Sequence, residues 1–275
     1  MSEKAFATKW ATIKEEDRDR DNTEERSIFV DVGKMPETQR QFNLFHYFEF
    51  IRSILEKKGA KKVLEIGCGR GTIGLYMAKY LGLSVSLLDN VPSALDLAKE
   101  EFAAHGVRGE YYVEDVLATH FADNSFDAIV SIGLAEHFKE GEIENLFKEQ
   151  YRILKPGGVM ISLNIPKKFS IQYLNTLMRM VKKLLGSYTG SVKKDYYRNS
   201  FSPKQYNAAA QTVGFKNSYT VRTFPFPFFI PIQMSTDKKI TQFFLKIIEN
   251  RRYFQKYPYT TNAFVAQSHF LVAEK

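Results

Sequence analysis

The spacing of apolar residues predicts a regular alternation of short strands and helices between residues 63 and 163. Some segments are almost continuously apolar, which is typical of buried strands, whereas others repeat an apolar residue roughly every three to four positions, as amphipathic helices do. Strands and helices in alternation indicate an α/β fold with a mostly parallel sheet covered by helices. The predicted strands are 63–66, 84–88, 110–113, 127–132 and 159–163, and the predicted helices are 72–81, 92–104 and about 142–154.

Two flanking regions extend this alternating core. Residues 38–58 carry an aromatic-rich helical pattern that ends at Gly59, a plausible helix stop. The cluster Lys155-Pro156-Gly157-Gly158 predicts the end of a helix just before the fifth strand. After that strand we expect a helix from Ser202-Pro203 to Val213, a strand at 216–223 and a closing strand at 268–273. The predicted divisions are an N-terminal lead-in and cap helix at 1–58, and one domain at 59–275 with insertions at about 166–200 and 224–262.

Composition adds limits on class and compartment. The chain has 275 residues, 44% of them hydrophobic, which is enough material for one large core. Its single cysteine, Cys68, excludes a disulfide framework and suits a reducing compartment. The first residues lack the apolar segment of a signal peptide, and no apolar run approaches the ~18 residues of a membrane-spanning helix. We therefore expect a cytoplasmic protein, with contact at the inner membrane surface as an open alternative.

The formal net charge of +8 conceals an asymmetry between the two halves of the chain. Residues 1–150 hold 19 lysines and arginines against 27 acidic residues, whereas residues 151–275 hold 20 against 4. A half this basic attracts anions such as a phosphorylated substrate, a membrane surface or a nucleic acid. A solvated basic face that aids solubility explains the same counts, so both interpretations stay open.

The segment 63–71 carries the clearest functional signal, because an apolar strand runs directly into a glycine turn that opens a helix. Glycine allows positive φ and lets a ligand approach the backbone, while the helix N-terminus offers free N–H groups. About twenty residues later the second strand ends at Asp89, where a carboxylate can accept the hydroxyl hydrogens of a ribose. The third strand ends at 114–116, a suitable place to meet an adenine edge.

Glycine spacing separates two nucleotide-binding families. The dinucleotide pattern G-x-G-x-x-G requires glycine at position 72, where this chain has Thr72. The spacing Gly67-x-Gly69-x-Gly71, with Glu65 before it, resembles that of the class I S-adenosylmethionine-dependent methyltransferases. The other stretches that carry this resemblance are Asp89, Glu114-Asp115-Val116, Asp123-Asn124-Ser125-Phe126-Asp127-Ala128-Ile129-Val130-Ser131, Glu136-His137-Phe138 and Tyr151-Arg152-Ile153-Leu154-Lys155-Pro156-Gly157-Gly158-Val159.

The resemblance implies a Rossmann-like, doubly wound, seven-stranded sheet in the order 3-2-1-4-5-7-6, with the closing strand antiparallel. It implies S-adenosylmethionine as cofactor, with the three glycines packed beneath it and Glu65 near its methionine part. Asp89, flanked by Asn90, would take the ribose hydroxyls. The adenine would meet Asp115, with Glu114 as an alternative, and the Val116 N–H, and Gly133 would line the sulfonium end. The implied cofactor-binding residues are Glu65, Gly67, Gly69, Gly71, Asp89, Asn90, Asp115, Val116 and Ile132.

His137 is the predicted general base, because it follows the fourth strand at the rim where an acceptor would lie. Glu136 beside it is the predicted orienting group. Much of methyl transfer is achieved by aligning the reactants, with proton removal where the acceptor carries one. A packing or capping histidine, with alignment alone supplying catalysis, is the alternative. We expect no metal, because no acidic pair typical of metal-dependent relatives is evident.

The acceptor is predicted to be a small or amphipathic molecule, methylated at oxygen or nitrogen. The sequence 133–137 stands where nucleic-acid amino methyltransferases carry Asn-Pro-Pro-Tyr, which makes a nucleic-acid acceptor improbable. Residues 171–185 form a basic amphipathic helix pattern, and 224–231 are rich in Phe and Pro. We expect both to pack on the core as a lid, with docking on an anionic membrane as the alternative. A lipid acceptor, a non-catalytic binding module and a nicotinamide oxidoreductase also stay open, and the oligomeric state is not predicted.

Overall fold

A single sheet of seven strands forms the centre of the molecule, in the order β3-β2-β1-β4-β5-β7-β6. Strands β1 to β5 pair in parallel, and β7 is antiparallel to both β5 and β6. This order and the antiparallel closing strand confirm the predicted Rossmann-like α/β fold. The strands are β1 Lys62–Ile66, β2 Ser84–Asp89, β3 Glu110–Val113, β4 Phe126–Ile132, β5 Leu154–Asn164, β6 Lys216–Thr223 and β7 Ser268–Glu274.

Our structure of this protein is a computed structural model. The Phe/Pro-rich run at 224–231 and most of the two insertions lie outside the residues that it describes. The described residues are 29–165, 177, 180, 181, 183–186, 197–223, 239, 241–243, 245, 246, 266 and 268–275.

In the continuously described parts of the chain, five α-helices flank the sheet, and local sequence explains where several of them start and stop. The first helix begins at a capping box in which Thr38 and Gln41 exchange hydrogen bonds, and it ends at Gly59 in the left-handed conformation. Ser202 and Gln205 form the same capping box at the last helix. The helices are α1 Gln39–Lys58, α2 Thr72–Leu81, α3 Pro92–Ala104, α4 Glu140–Ile153 and α5 Pro203–Val213.

One boundary prediction was wrong, because the 155–158 cluster lies within a strand and does not lead into one. Strand β5 begins at Leu154, which pairs with Phe126, and the register then shifts before Val159 pairs with Ala128. Backbone bonds from Gly157 N to the Lys275 carbonyl at 2.9 Å and from Lys275 N to the Gly158 carbonyl at 3.0 Å hold the irregular stretch to the chain end. Pairing across the sheet thus overrides the breaking tendency of Pro and Gly.

An aromatic stack fixes α1 and the preceding segment against α2. The Tyr76 ring lies between the Phe29 ring at 4.4 Å and the Phe48 ring at 4.8 Å. The Tyr76 hydroxyl donates to the Val30 carbonyl at 2.8 Å. This packing places α1 beside α2, the helix that begins at the glycine turn.

The described part of the 171–185 pattern does not pack on the core. Residues 177, 180, 181, 183 and 184 are helical and exposed. Their apolar side chains face outward, with Leu177 at 57% and Leu184 at 85% exposure. The expectation of a packed lid is therefore wrong for these residues. In the described part of the chain, no helix is long and apolar enough to cross a membrane.

Candidate functional site

A glycine turn joins β1 to α2 at the carboxyl edge of the sheet. Gly67, Gly69 and Gly71 all have positive φ, at 59°, 54° and 66°. A Cβ on Gly71 would lie 3.2 Å from the Ala98 Cβ, so packing as well as conformation requires glycine there. The Cys68 N–H donates to the Leu88 carbonyl at 3.1 Å, which ties the turn to the end of β2. The three predicted glycines therefore form one continuous backbone surface.

Two buried carboxylates lie against this turn. Asp89 is 7% exposed; its Oδ2 accepts the Gly69 N–H at 2.9 Å and its Oδ1 accepts the Val91 N–H at 3.0 Å. Glu65 is 3% exposed, and its Oε2 accepts the Gly74 N–H at 2.7 Å. Each carboxylate oxygen has two lone pairs, so both groups keep capacity to accept further hydrogen bonds. Glu65, the glycines and Asp89 are thus brought together as predicted.

The glycine turn together with Glu65 and Asp89 forms an acidic cradle, and the electrostatics of this cradle favour a cationic ligand. Burial raises the pKa of Glu65 to about 8, the nearby charge of Asp89 raises it further, and the Gly74 N–H opposes both effects. Arg70 lies on the same turn, but its guanidinium is paired with the Glu101 carboxylate at 2.9 Å. Bringing a positive group to the cradle would relieve the repulsion between the two acids and stabilise the ionised form of Glu65.

Cys68 contributes backbone and not reactive sulfur. Burial raises the pKa of its thiol well above the usual range, and the charges of Glu65 and Asp89 raise it further. A thiol is nucleophilic as the thiolate, so this environment suppresses its reactivity.

The end of β3 is arranged differently from the cradle. Asp115 is exposed, and its Oδ1 accepts the Leu117 N–H at 2.9 Å. Glu114, the alternative for meeting the adenine, instead bonds both the ring and the backbone N–H of His120. The Val116 side chain is buried, so the group with which this residue would contact the adenine is its backbone N–H, as predicted from the sequence. Asp115 therefore stays the candidate acid at this edge, and it makes no described contact with the glycine turn.

The loop after β4 reaches back to the glycine turn. A Cβ on Gly67 would lie 2.8 Å from the Leu134 Cδ1, so the Leu134 side chain is directly opposite this glycine. Gly133 has φ of 72°, and a Cβ there would lie 3.3 Å from the Glu136 Oε1. Ile132 is half-buried at the end of β4. This loop therefore connects the cradle to the predicted catalytic pair. Asn90, another predicted cofactor-binding residue, is exposed at the end of β2.

His137 lies in a single 3₁₀ turn, Ala135–His137, and its ring has a defined tautomer. Its Nδ1 lies 2.8 Å from the Tyr197 carbonyl oxygen. A carbonyl oxygen only accepts, so Nδ1 carries the proton and Nε2 of the neutral ring is a proton acceptor. The Glu136 Oε1 lies 4.0 Å from that Nε2. The orienting group at Nδ1 is thus the Tyr197 carbonyl, and the fully buried Glu136 is placed to stabilise a protonated ring.

Asn199 fixes the position of this catalytic turn. Its Nδ2 donates to the carbonyls of Ala135 and Phe138 at 3.1 Å each, on either side of the predicted pair. Its Oδ1 accepts the Tyr206 hydroxyl at 2.8 Å, and its backbone N–H donates to the Glu136 carbonyl at 2.7 Å. Sequence reasoning missed Asn199, because a lone asparagine in a polar stretch carries no recognisable pattern.

The described residues contain no group of three or more His, Cys, Asp or Glu side chains arranged to hold a metal ion.

Residues 63–158 match the family model of the methyltransferase domain. Over this range, about a third of the chain, the sequence is that of a class I S-adenosylmethionine-dependent methyltransferase domain. The matched range covers β1 to the irregular start of β5, and therefore the glycine turn, Asp89 and the His137 turn.

Curated relatives of the methyltransferase domain come from several enzymes. A sterol 24-C-methyltransferase of Neurospora crassa is 34% identical over 99 residues, which are 35% of this chain and 26% of that protein. Phosphoethanolamine N-methyltransferase 1 of Arabidopsis thaliana is 35% identical over 135 residues, which are 49% of this chain and 25% of that protein. The chain thus spans about a quarter of the length of these relatives. The demethylmenaquinone methyltransferase of Thermus thermophilus is 27% identical over 61% of this chain and 80% of its own length.

Solved structures share the fold outside the matched range as well. The PH0226 protein of Pyrococcus horikoshii has a TM-score of 0.54 at 18% identity, over 86% of this chain and 92% of its own. The [4+2]-cyclase SpnF has a TM-score of 0.55 at 16% identity, over 83% of this chain and 80% of its own. At such identities the likeness establishes the fold alone.

The residues of the methyltransferase domain fit S-adenosylmethionine. That molecule is a nucleoside with a cationic sulfur and an ammonium group, so two buried carboxylates complement both its charge and its ribose hydroxyls. The anionic pyrophosphate of a dinucleotide would instead approach the Glu65 carboxyl group. That group already accepts the Gly74 N–H in the first turn of α2. The helix N-terminus is therefore unsuited to a dinucleotide, which agrees with Thr72 in place of the dinucleotide glycine.

Replacing Asn199 with alanine should lower kcat while leaving the affinity for S-adenosylmethionine within about threefold. The turn that carries His137 loses its two side-chain anchors, whereas the carboxylate cradle is untouched. We expect a loss of about 2 kcal/mol in the free energy of unfolding, because Asn199 is 3% exposed and its partners are left behind. Steady-state kinetics, calorimetry and urea unfolding measure the three quantities.

Tyr206→Phe is the matched control for Asn199→Ala. It removes only the hydroxyl that bonds Asn199 Oδ1 and keeps the two bonds from Nδ2. It should destabilise the protein and lower kcat much less than Asn199→Ala does. Equal losses of kcat in both variants would contradict a positioning role for Asn199.

The pKa of Glu65 predicts that cofactor binding depends on pH. A cationic ligand favours the carboxylate, so the affinity for S-adenosylmethionine should rise with pH and level off above about 8, by up to about tenfold per pH unit. Because the ligand amine also titrates, the quantity to compare is the difference between wild type and Glu65→Gln. Calorimetry at pH 6 to 9 should show that the variant lacks this component, and identical pH profiles would refute it.

The raised pKa of Glu65 should also make folding stability depend on pH, but stability should fall with rising pH whereas cofactor affinity rises. The folded-state pKa of about 8 lies above the ordinary value of 4.5. The ligand-free fold therefore holds a proton that the unfolded chain releases, and its stability from this group falls as pH rises from 4.5 to about 8.

Proposed function

We propose that this protein transfers the methyl group of S-adenosylmethionine to an oxygen or nitrogen atom of a small or amphipathic acceptor. When bound, S-adenosylmethionine supplies a methyl group activated by a positively charged sulfur. Most of the protein's contribution is then to bind, align and remove a proton. In this proposal residues 1–58 form a lead-in and cap, and 59–275 form the catalytic domain with its two insertions.

The observation that carries the proposal is the pair of buried carboxylates on the glycine turn. Asp89 is held by the amides of Gly69 and Val91, so its position is set before a ligand arrives. Glu65 is held by the Gly74 amide on the other side of the turn. A fixed acidic cradle with its nearby arginine already paired to Glu101 supports a cationic nucleoside over a phosphorylated one.

His137 provides the proposed general base. Its Nδ1 carries the proton that it donates to the Tyr197 carbonyl, so Nε2 is the ring atom that would take a proton from a hydroxyl or amine acceptor. The Glu136 carboxylate, 4.0 Å from Nε2, then stabilises the imidazolium that forms. We propose these roles together with the cofactor contacts of Gly67, Gly69, Gly71, Asn90, Asp115, Val116 and Ile132.

The names of the related enzymes support a small or amphipathic acceptor. They name a sterol, a phosphoethanolamine and a demethylmenaquinone, of which two are largely apolar. Their acceptor atoms differ, since one name specifies carbon 24 and another nitrogen. A base with a defined tautomer suits a hydroxyl or amine acceptor, whose proton it can take, and oxygen or nitrogen is the acceptor atom that we propose.

Incubation with S-adenosylmethionine carrying a labelled methyl group tests the proposal. Panels of hydroxylated quinols, sterols, phenols and primary amines are scored for transfer of label and for release of S-adenosylhomocysteine. We expect at least one class to be methylated in step with product release. Calorimetry with NAD should show no binding. Micromolar binding of NAD without binding of S-adenosylmethionine would overturn the proposal, and tight cofactor binding without turnover on any class would favour a non-catalytic binding module.

A further inference from the structure

We propose that the exposed helical residues Leu177, Met180, Val181, Lys183 and Leu184 belong to a docking surface for a lipid bilayer that contains anionic headgroups. The inference concerns binding by an insertion and does not depend on methyl transfer. It rests on the exposure, the spacing and the charge of this part of the chain.

Exposed apolar side chains are concentrated in this segment. Eleven large hydrophobic residues are exposed among those that the structure describes, and five of them lie between 177 and 185. The most exposed is Leu184 at 85%. Single exposed apolar residues are normal on protein surfaces, whereas a contiguous group marks an interaction site.

The spacing of these residues places them on one side of a helix. Leu177, Met180, Val181 and Leu184 are separated by steps of three, one and three residues, which is the i, i+3, i+4, i+7 pattern of a single face. At ~100° per residue they fall within an arc of about 100°. In a soluble domain such a face is buried against the core, but here all four are exposed. The face is therefore built to enter an apolar environment outside the domain.

Charge identifies the occupant of this face. Between residues 166 and 200 the sequence holds eight lysines and arginines and a single acidic residue, Asp195. Lys183 is exposed next to the apolar face, and Arg179 and Lys182 belong to the same stretch of sequence. Helices that lie in the membrane interface combine an apolar face with lysine and arginine, because anionic headgroups attract the basic residues.

The same charge argues against other occupants. A second copy of the chain would bring two strongly basic insertions together, and their repulsion disfavours that pairing. A nucleic acid would be attracted by the lysines but would leave Leu177 and Leu184 exposed to water. An anionic bilayer satisfies both the apolar face and its basic surroundings.

Flotation of the full chain with vesicles tests the proposal. The vesicles are phosphatidylcholine alone, or phosphatidylcholine with about 30% phosphatidylglycerol, at about 0.05 M and about 0.5 M salt. We expect co-flotation with the anionic vesicles at low salt, and weaker binding at high salt or to neutral vesicles. Leu177→Glu and Leu184→Glu should each weaken partitioning at least about tenfold, because each removes apolar contact and adds a repelled charge. Lys183→Glu should weaken it less.

Met35→Glu is the matched control, because Met35 and Leu177 are both 57% exposed. It adds the same charge outside the segment and should leave flotation within about twofold of wild type. Thermal unfolding checks that all variants fold. Equal loss in Met35→Glu and Leu184→Glu would overturn the proposal, as would wild-type flotation by Leu184→Glu. It would also be overturned if the protein ignores vesicles but forms a dimer that Leu184→Glu dissociates, or if it binds only single-stranded RNA.

Discussion

Replacing Asp89 with alanine should weaken S-adenosylmethionine binding by more than about 100-fold. The carboxylate is expected to accept two ribose hydroxyls, and charge-assisted hydrogen bonds of this kind contribute about 1.5 to 3 kcal/mol each. The substitution also removes the acceptor for the Gly69 and Val91 amides, so the turn loses its fixed shape. Calorimetry with S-adenosylmethionine and with S-adenosylhomocysteine measures the loss.

Two further variants make the Asp89 result specific. Asp89→Glu keeps the charge and lengthens the side chain by one methylene, so it should retain binding within about tenfold. Asp96→Ala removes an exposed acid from α3, the next helix along the chain, and should bind as wild type does. If Asp89→Ala folds and binds within about threefold of wild type, the ribose assignment is wrong.

Replacing His137 with asparagine should lower kcat by about 100- to 10,000-fold and leave cofactor affinity nearly unchanged. The asparagine amide can donate to the Tyr197 carbonyl as Nδ1 does, but nothing replaces the Nε2 atom that takes the proton. A general base of this kind contributes roughly that factor. Single-turnover rates with the acceptor found by labelled methyl transfer provide the measurement.

His120→Asn is the control for His137→Asn, because His120 is exposed and bonds Glu114 away from the β4 loop. Its kcat should match wild type. Should His137→Asn turn over at the wild-type rate, then alignment alone drives the reaction and His137 only packs. His137→Ala, which removes more of the side chain, would then be equally active, since neither variant carries a base.

Much of the sheet could be predicted because each strand is defined by its own sequence. Strands β1 and β2 are buried and apolar and end at the proposed ligand-binding residues, so their positions followed from local pattern. The start of β5 could not be predicted in this way. Pro156, Gly157 and Gly158 oppose a strand locally, whereas backbone hydrogen bonds that join Gly157 and Gly158 to Lys275, far along the chain, hold them in the sheet.

The features of the site likewise divide into those that the sequence could predict and those that only the structure revealed. Glu65, Gly69 and Asp89 lie on elements close in sequence, and a known spacing was enough to bring them together. That Glu114 bonds His120 in the ligand-free structure became visible only in three dimensions. Likewise, the partner of His137 is a backbone carbonyl at Tyr197, 60 residues away, and backbone groups have no sequence signature. The exposure of Leu184 was also beyond prediction, because an amphipathic pattern does not state what covers its apolar face.

Asn199 has a consequence for the modular construction of this protein. Tyr197 and Asn199 lie at the C-terminal end of the basic insertion, and they are also the residues that hold the His137 turn. The insertion can therefore vary in length and composition only up to this anchor. A chimera that exchanges the insertion should place its downstream junction before Tyr197. In that design a new surface or specificity element is acquired without rebuilding the catalytic turn.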